Sequence, residues 1–146
     1  MSIIKSYSVG NGDMFCISHN SDNFTIIDCC LNDDVKEHVL TDLKALCGDD
    51  VMHRFISTHP DEDHIRGIAE LNKEIGLWNF CCVENAATKK SQSDNFDYYC
   101  KLRDAKVKIT VHDIFKGISY RWLNRSGVGE NDTKDYGCAG IHFLWP

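Results

Sequence analysis

The segment STHPDEDHIRG, residues 57–67, places two histidines and three acidic residues within one short stretch of chain. His59, Asp61 and Asp63 alternate with other residues, and His64 follows directly. Neutral imidazoles and ionised carboxylates are ligands of divalent metal ions. Carboxylates this close together repel one another, and a bound cation removes that repulsion. The pattern therefore predicts that these two histidines and two aspartates bind metal.

A plainer interpretation of the same segment remains open. Acidic residues just before a helix often cap its first turn, and histidines on a surface need no function. The metal interpretation is favoured because the H-x-D-x-D-H pattern stands between a short apolar strand-like segment and an apolar helical one.

The elements that must position this cluster follow from the spacing of apolar residues. Alternating or continuous apolar runs predict strands, and apolar residues at helical spacing predict helices. Strands that alternate with helices indicate an α/β fold, in which ligand-binding groups stand at the ends of strands. The predicted strands are residues 3–9, 14–18, 24–30, 53–58, 77–85, 106–113 and 141–146, the helices are residues 32–50, 65–76 and 96–105, and polar loops span residues 87–95 and 124–140.

Composition and charge narrow the class of protein. The chain has 146 residues, of which 42% are hydrophobic and 26% charged, as expected of a single globular domain. Its net charge of -6 argues against a nucleic-acid-binding surface spread over the whole molecule, although a local basic groove is compatible with it. No apolar run approaches the ~20 residues of a membrane span, and the first residues lack a signal-peptide pattern. We therefore expect a cytoplasmic protein that does not bind membranes.

Eight cysteines are present, mostly within apolar runs. No two of them form a C-x-x-C pair, which disfavours a zinc ribbon. The expected state is buried and reduced, because thiols pack well in cores and the cytoplasm keeps them free. The eight are Cys16, Cys29, Cys30, Cys47, Cys81, Cys82, Cys100 and Cys138.

The hexapeptide HPDEDH, residues 59–64, resembles the H-x-H-x-D-H signature of the metallo-β-lactamase-fold hydrolases, with Asp61 in place of the second histidine. The variant H-P-D-x-D-H is similar to the branch of that superfamily that includes the hydrolase domain of the bacterial competence DNA-uptake channel protein. Two further segments, SVGNGDMFCI and FTIIDCC, resemble that branch's V-G-x-G-D turn and its strand that ends in aspartate. The resemblance covers residues 3–75.

The resemblance implies a four-layer αββα sandwich, of which residues 1–146 form one domain or its N-terminal αβ half. It also implies a site for two divalent metal ions, zinc or manganese. Carried over by position, His59 and Asp61 bind the first ion, and Asp63 and His64 bind the second. Asp63 also orients the attacking water, which makes it the expected catalytic residue.

Other residues have lesser roles by the same resemblance. Asp28, at a strand end, and Asp13, in the turn, are expected to support the site. The family completes its site with a histidine and a bridging acid further along the chain. His112 and His142 lie in strand-like segments and are expected to be structural instead. The remaining ligands would then come from a C-terminal half or from a partner.

The implied function is a metal-dependent hydrolase, a phosphodiesterase or nuclease in which two metals activate a water. Its substrate would be a phosphodiester of nucleic acid or of a nucleotide, or another ester. The carboxylate-rich set favours harder ions such as Mn²⁺ compared with an all-histidine zinc site. The segment ATKKSQ, residues 87–92, gives a weak indication of a phosphate-binding loop, and an ordinary solvated loop is favoured there.

The alternative function is a non-catalytic fragment or assembly module with an incomplete metal site. Such a module would pair with a C-terminal half or a partner through an open sheet edge. The segments TIIDCC and FCCVEN are apolar on successive residues, which suits burial on both faces of a sheet. A lone half would leave one sheet face exposed, so these residues are expected either to self-associate through that face or to need the missing half.

Overall fold

A computed structural model gives the fold and describes residues 2–19, 23–47, 52–120, 123–126, 135–137 and 140–144. Within these residues the protein is a mixed α/β structure, as the sequence predicts. It has a six-stranded sheet, a separate two-stranded hairpin and four helices. No helix within the described parts of the chain has the length and apolar character that crossing a membrane requires.

The first three strands, which the sequence predicts at 3–9, 14–18 and 24–30, form an antiparallel meander. Strand β1 (Ile3–Ser6) pairs with β2 (Phe15–Ser18), and β2 pairs with β3 (Asn23–Ile27). The turn between β1 and β2 contains Gly12, where a Cβ atom would lie 2.5 Å from the carbonyl oxygen of Asp63. Glycine is required at this position because the turn packs directly against the backbone of the metal-ligand candidates.

A helical crossover then brings the chain to a parallel neighbour of β3. The two-residue strand β4 (Cys29–Cys30) comes first, and helix α1 (Lys36–Cys47) leads to strand β5 (Met52–Ile56). Strand β5 pairs with β3 in parallel, with Ile27 opposite Ile56. Parallel pairing needs such a long connection, and it places the carboxyl ends of both strands at one edge of the sheet.

The predicted helix over residues 65–76 is interrupted in the structure. Helix α2 (Glu62–Ile65) ends before Gly67, and helix α3 (Ile68–Ile75) begins after it. Gly67 has a φ of 78°, and a Cβ atom there would lie 2.7 Å from the Cβ of Leu31. The prediction of one continuous helix is therefore wrong, because the left-handed backbone at Gly67 separates two helices.

Two further parallel strands complete the sheet. Strand β6 (Leu77–Val83) pairs with β5, and strand β7 (Thr110–Ile114), which follows helix α4 (Asp94–Arg103), pairs with β6. The hydroxyl of Ser93 caps α4 by accepting from the backbone N–H of Phe96 at 3.1 Å. The strand order is β1-β2-β3-β5-β6-β7, so β1 and β7 are the edges.

The C-terminal part of the chain differs from its prediction. Residues 141–144 have no regular secondary structure, although the sequence predicts a strand over residues 141–146. Within the predicted loop 124–140, strands β8 (Asn124–Ser126) and β9 (Asp135–Gly137) form an antiparallel hairpin. Most of the rest of that loop lies outside the described residues, as do the last two residues of the chain.

The helices cover one face of the sheet. Strand residues Phe24, Phe55 and Phe80 belong with helix residues Leu43 and Leu71 to one buried hydrophobic cluster. The rings of Phe55 and Phe80 stack with their centroids 5.9 Å apart. Burial of apolar surface, worth roughly 25 cal/mol per Å², stabilises this layer.

The opposite face of the sheet is covered by the C-terminal part of the same chain. Ile56, Cys81 and Ile114 are buried with Leu123 and Phe143 in a second hydrophobic cluster. The expectation that this face is left exposed is therefore wrong for these strands. Residues beyond β7 pack on it within one molecule.

A buried polar group also lies on that second face. Arg54 is fully buried, and its Nη1 donates to Oγ1 of Thr25 at 2.9 Å and to the carbonyl oxygen of Leu123 at 3.2 Å. The same Thr25 oxygen lies 2.9 Å from Nε2 of His19. Burial, together with the nearby Arg54 charge, lowers the pKa of His19 to about 4. His19 is therefore neutral in the folded protein near neutral pH.

Candidate metal and active site

The candidate site begins where strand β5 leaves the sheet. Beyond Ile56, the backbone N–H of Ser57 donates to the carbonyl oxygen of Cys81 at 2.8 Å, which continues the contact with β6 by one residue. Pro60 has no N–H and ends this pairing, and helix α2 begins at Glu62. The histidines and aspartates therefore stand at the carboxyl edge of the parallel strands, where α/β folds bind ligands.

His64 is the buried histidine of the site, and Asp28 holds it in place. The His64 residue is 9% exposed, and its Nδ1 lies 3.0 Å from Oδ2 of Asp28, which is 2% exposed. An ionised carboxylate only accepts hydrogen bonds, so the Nδ1 of His64 carries the hydrogen. The Nε2 lone pair is then available to a ligand, which is the usual arrangement around a metal-binding histidine.

Thr58 extends this network to the second histidine. Its backbone N–H donates to Oδ1 of Asp28 at 2.8 Å, and its hydroxyl donates to Oδ2 at 2.5 Å. The hydroxyl has only one hydrogen, so it accepts from Nδ1 of His59, which lies 3.0 Å away. The Nε2 of His59 is therefore also left with a free lone pair. One buried carboxylate sets the same tautomer in both histidines.

Each histidine also lies beside one of the two aspartates. The Nε2 of His59 is 3.7 Å from Oδ2 of Asp61, and the Nε2 of His64 is 3.5 Å from Oδ2 of Asp63. The two imidazole rings are neighbours, with centroids 3.9 Å apart. The structure therefore brings all four sequence candidates together as two histidine–aspartate pairs.

These pairs do not form a closed cage in this arrangement. Among the described residues, no group of three or more histidine, cysteine, aspartate or glutamate side chains is arranged to hold a metal ion. The side chains of Asp61 and Asp63 are 63% and 50% exposed. Both carboxylates therefore have room to turn, whereas the imidazole of His64 is fixed.

The backbone at Asp28 is unusual for a residue with a side chain. Its φ is 52°, in the left-handed region, and its N–H donates to the carbonyl oxygen of Ile56 at 3.0 Å. This conformation costs a residue other than glycine roughly 1–2 kcal/mol, although aspartate tolerates it better than most. Glycine would avoid the cost but would remove the carboxylate that both histidines share. The carboxylate at this position therefore contributes hydrogen bonds to the site, whereas the turn itself would be less strained with glycine.

Glu62, the third acidic residue of the segment, has a structural role. Its carboxylate accepts from Oγ of Ser93 at 2.7 Å and from Nδ2 of Asn95 at 2.6 Å. The Oδ1 of Asn95 in turn accepts from the backbone N–H of Gly67 at 2.9 Å. These bonds attach the start of α4 to α2 and so fix the position of the site segment.

Lys89 is a member of the site that the sequence does not single out. Its Nζ donates to the carbonyl oxygen of Pro60 at 2.7 Å and to Oδ1 of Asp61 at 3.2 Å. The ammonium also lies 4.9 Å from the centre of the Phe96 ring. In the sequence, only the segment ATKKSQ indicates a functional role for this lysine, and its pattern favours a solvated loop. Charge pattern alone does not distinguish Lys89 from its exposed neighbour Lys90.

The remaining sequence candidates lie apart from this network. Asp13 is exposed, and its side chain makes no hydrogen bond or ion pair within the part of the chain that the structure describes. Its neighbour Gly12, not Asp13, contacts the site segment. His112 lies on β7 with its Nε2 2.9 Å from Oδ1 of Asn79, and His142 is exposed in the irregular C-terminal segment.

The chemistry of the donor set fits divalent metal ions. Two imidazole Nε2 atoms with fixed tautomers and two carboxylates are available at one edge of the sheet, and such mixed sets suit zinc or manganese. The ammonium of Lys89 beside Asp61 already acts as a cationic neighbour of one of these carboxylates. His59, Asp61, Asp63 and His64 are therefore the residues that would hold metal.

A cavity of about 570 Å³ lies elsewhere in the molecule. It is lined by Gly76, Leu77, Trp78 and residues 107–110. Because Leu77 and Thr110 are the first residues of β6 and β7, this cavity is at the amino ends of the parallel strands. It is therefore at the opposite edge of the sheet from the candidate site.

Comparison with known proteins does not identify a family for this chain. No protein-family model matches the chain, and no curated protein matches it as a relative.

Proposed function

We propose that this protein is a metal-dependent hydrolase with a metallo-β-lactamase-like αβ unit, and that it cleaves phosphodiesters. The single observation that supports this proposal best is the hydrogen-bonded chain His59–Thr58–Asp28–His64. A surface histidine needs no fixed tautomer. Here the Nδ1 atoms of both histidines are hydrogen-bonded, and both Nε2 atoms lie near carboxylates. Metal-binding histidines usually have their second ring nitrogen hydrogen-bonded in this way.

The proposed function assigns a separate role to each residue of the site. His59 and Asp61 bind one metal ion, and Asp63 and His64 bind the other. When bound, such ions supply a water nucleophile at neutral pH and stabilise negative charge on the reacting oxygens. Asp63, with its side chain half-exposed, accepts a hydrogen bond from the attacking water and orients it. Asp28 is a positioning residue, because it acts on the substrate only through the two histidines.

The substrate class rests on the resemblance and on the chemistry of the site. Carboxylate ligands prefer hard ions such as Mn²⁺, which are frequent partners of phosphoryl groups. A phosphodiester carries anionic oxygens, whose charge ions held by His59, Asp61, Asp63 and His64 would stabilise. We therefore propose nucleic acid or a nucleotide as the substrate.

A metal titration combined with an activity assay tests this proposal. The double variant Asp61→Ala, Asp63→Ala should lose most of its Mn²⁺ binding by calorimetry and most of its metal-dependent cleavage of a model phosphodiester. The matched control is Asp33→Ala, Asp34→Ala, which removes the same charge from exposed positions before α1. If Mn²⁺ and Zn²⁺ bind equally well to both double variants and to the wild type, the ligand assignment is wrong.

A second candidate function, an assembly module, is favoured by the edge strand β1. Ile3 and Ile4 on this edge are 57% and 72% exposed, which is a common feature of surfaces that pair with another chain. An Ile4→Lys variant that abolishes self-association in light scattering, in a chain that binds no metal, would support this function over hydrolysis.

A further inference from the structure

The loop between β6 and α4 carries Lys89 to the site and is fixed at both ends. Near its start, the Nδ2 of Asn85 donates to the carbonyl oxygen of Val83 at 2.7 Å and to the hydroxyl of Tyr99 at 3.0 Å. At its end, Ser93 donates to Glu62 at 2.7 Å. The ammonium of Lys89 is therefore presented to the site by a loop that the fold holds in place.

The surroundings of the Lys89 ammonium leave it room for a further partner. An ammonium has three N–H donors, and two of them are assigned, to Pro60 and Asp61. The side chain is 33% exposed, so its tip reaches solvent at the rim of the site. The neighbouring Asp61 side chain is 63% exposed, so the ion pair between them is a solvated one that exchanges easily.

Metal binding would change the partners of this lysine. The carboxylate of Asp61 is one of the proposed ligands, and a divalent ion on it would repel the ammonium 3.2 Å from the same group. An ammonium released from Asp61 but still held by its loop stands next to the place where a substrate would bind. A compact ammonium is a common ligand of phosphate oxygens.

We propose that Lys89 is the substrate-binding cation of this site: it neutralises Asp61 when no metal is bound and binds an anionic phosphate oxygen when metal occupies Asp61. This inference rests on the proposed function. It assigns a specificity role, because a neutral ester offers no anionic oxygen to Lys89. The competing explanation is that Lys89 only ties its loop to Pro60.

The first test is the metal affinity of the full chain without substrate. Lys89→Met keeps an unbranched side chain of similar length and removes the charge, and Lys90→Met removes the same charge from the exposed neighbour. We expect Mn²⁺ to bind Lys89→Met several-fold to about tenfold more tightly than it binds the wild type, since a competing cation has been removed. Lys90→Met should match the wild type. Equal or weaker Mn²⁺ binding by Lys89→Met would overturn the inference.

The second test uses bis(p-nitrophenyl) phosphate, an anionic diester, with the Mn²⁺-loaded chain. We expect Lys89→Met to raise KM about tenfold with little change in kcat, because a ground-state contact to the phosphate is lost. Lys89→Arg should recover much of the KM. For the neutral ester p-nitrophenyl acetate, KM should be unchanged in Lys89→Met. A loop-tying role would instead raise KM for both substrates alike, and that result overturns the proposal.

The two proposals fail differently in these experiments. If the wild-type chain binds no Mn²⁺, the proposed hydrolase itself is wrong, and this inference is lost with it. If the wild type binds Mn²⁺ and cleaves the diester but Lys89→Met behaves like Lys90→Met, only the role of Lys89 is wrong.

Discussion

The hydroxyl of Thr58 lies 2.5 Å from Oδ2 of Asp28, and it is the link through which one carboxylate controls two histidines. Asp28 reaches His64 directly, but it reaches His59 only through this hydroxyl. The side chain of Thr58 is therefore placed to affect the ligand pair that lies farther from Asp28.

We expect Thr58→Val to weaken the site at His59. Valine keeps the shape but removes the hydroxyl, so the Nδ1 of His59 loses its acceptor and Asp28 loses one donor. The free energy of unfolding should fall by about 1–3 kcal/mol, and metal affinity should fall about tenfold or more. Urea unfolding and Mn²⁺ calorimetry measure these effects. Thr58→Ser should stay near the wild type, and Thr88→Val, an exposed threonine, is the control.

We expect Asp28→Asn to disturb both histidines together. Asparagine tolerates the left-handed backbone, so the turn should be kept. Its neutral amide, however, cannot replace the charged carboxylate that accepts hydrogen bonds from Thr58 and His64. Metal affinity should fall about 10–100-fold, as is typical for loss of a ligand-orienting carboxylate. Asp28→Gly should lose as much affinity while relieving the backbone cost. If Asp28→Asn keeps full Mn²⁺ affinity, Asp28 serves the turn and not the site.

The cysteines should be reduced and should react in a defined order. The seven cysteines that the structure describes carry thiols, and Cys138 lies outside the described residues. Burial raises the pKa of Cys81 to about 12 and that of Cys82 to about 11, so neither forms the reactive thiolate near pH 8. Among these seven described cysteines, iodoacetamide followed by peptide mass spectrometry should label the partly exposed Cys100 first. A thiol count after denaturation without reductant should find all eight, and a count of six or fewer would indicate disulfides.

Stability should depend on pH through His19. The folded-state pKa of His19 is lowered by burial to about 4, so the unfolded chain takes up a proton below pH ~6.5 that the folded chain excludes. The free energy of unfolding should therefore fall as the pH decreases from about 6.5 to 4. His19→Gln should reduce the loss between pH 7 and pH 5 by on the order of 1 kcal/mol.

The sequence predicts the first three strands, the α/β class and the clustering of the four ligand candidates, because each depends on local patterns. Apolar alternation indicates strands, and the H-x-D-x-D-H pattern lies within one short segment, residues 59–64. At the break, the backbone of Gly67 lies close to Leu31, a residue in a different part of the chain. Local periodicity cannot contain such a contact, so one continuous helix was predicted.

Long-range contacts also explain what the sequence missed in the site. Lys89 is 28 residues from Asp61, and its contact exists only because α4 is attached to α2 through Glu62. The bridging role of Thr58 depends on the position of Asp28, which is 30 residues away. The covered second face is a similar case, since Leu123 and Phe143 reach it from beyond β7 through contacts that local spacing does not show.

The parallel pairing of β3 with β5 has a consequence for how the site forms during folding. Asp28 follows β3 and Thr58 follows β5, so they meet only after the chain has closed a loop around α1. Contacts between residues so far apart in sequence form late and slowly compared with local ones. A nascent or partly unfolded chain therefore has the HPDEDH segment but lacks the bracing that fixes its histidines. Tight retention of metal would then be a property of the finished sheet, and any metal that does bind would shift the folding equilibrium toward it.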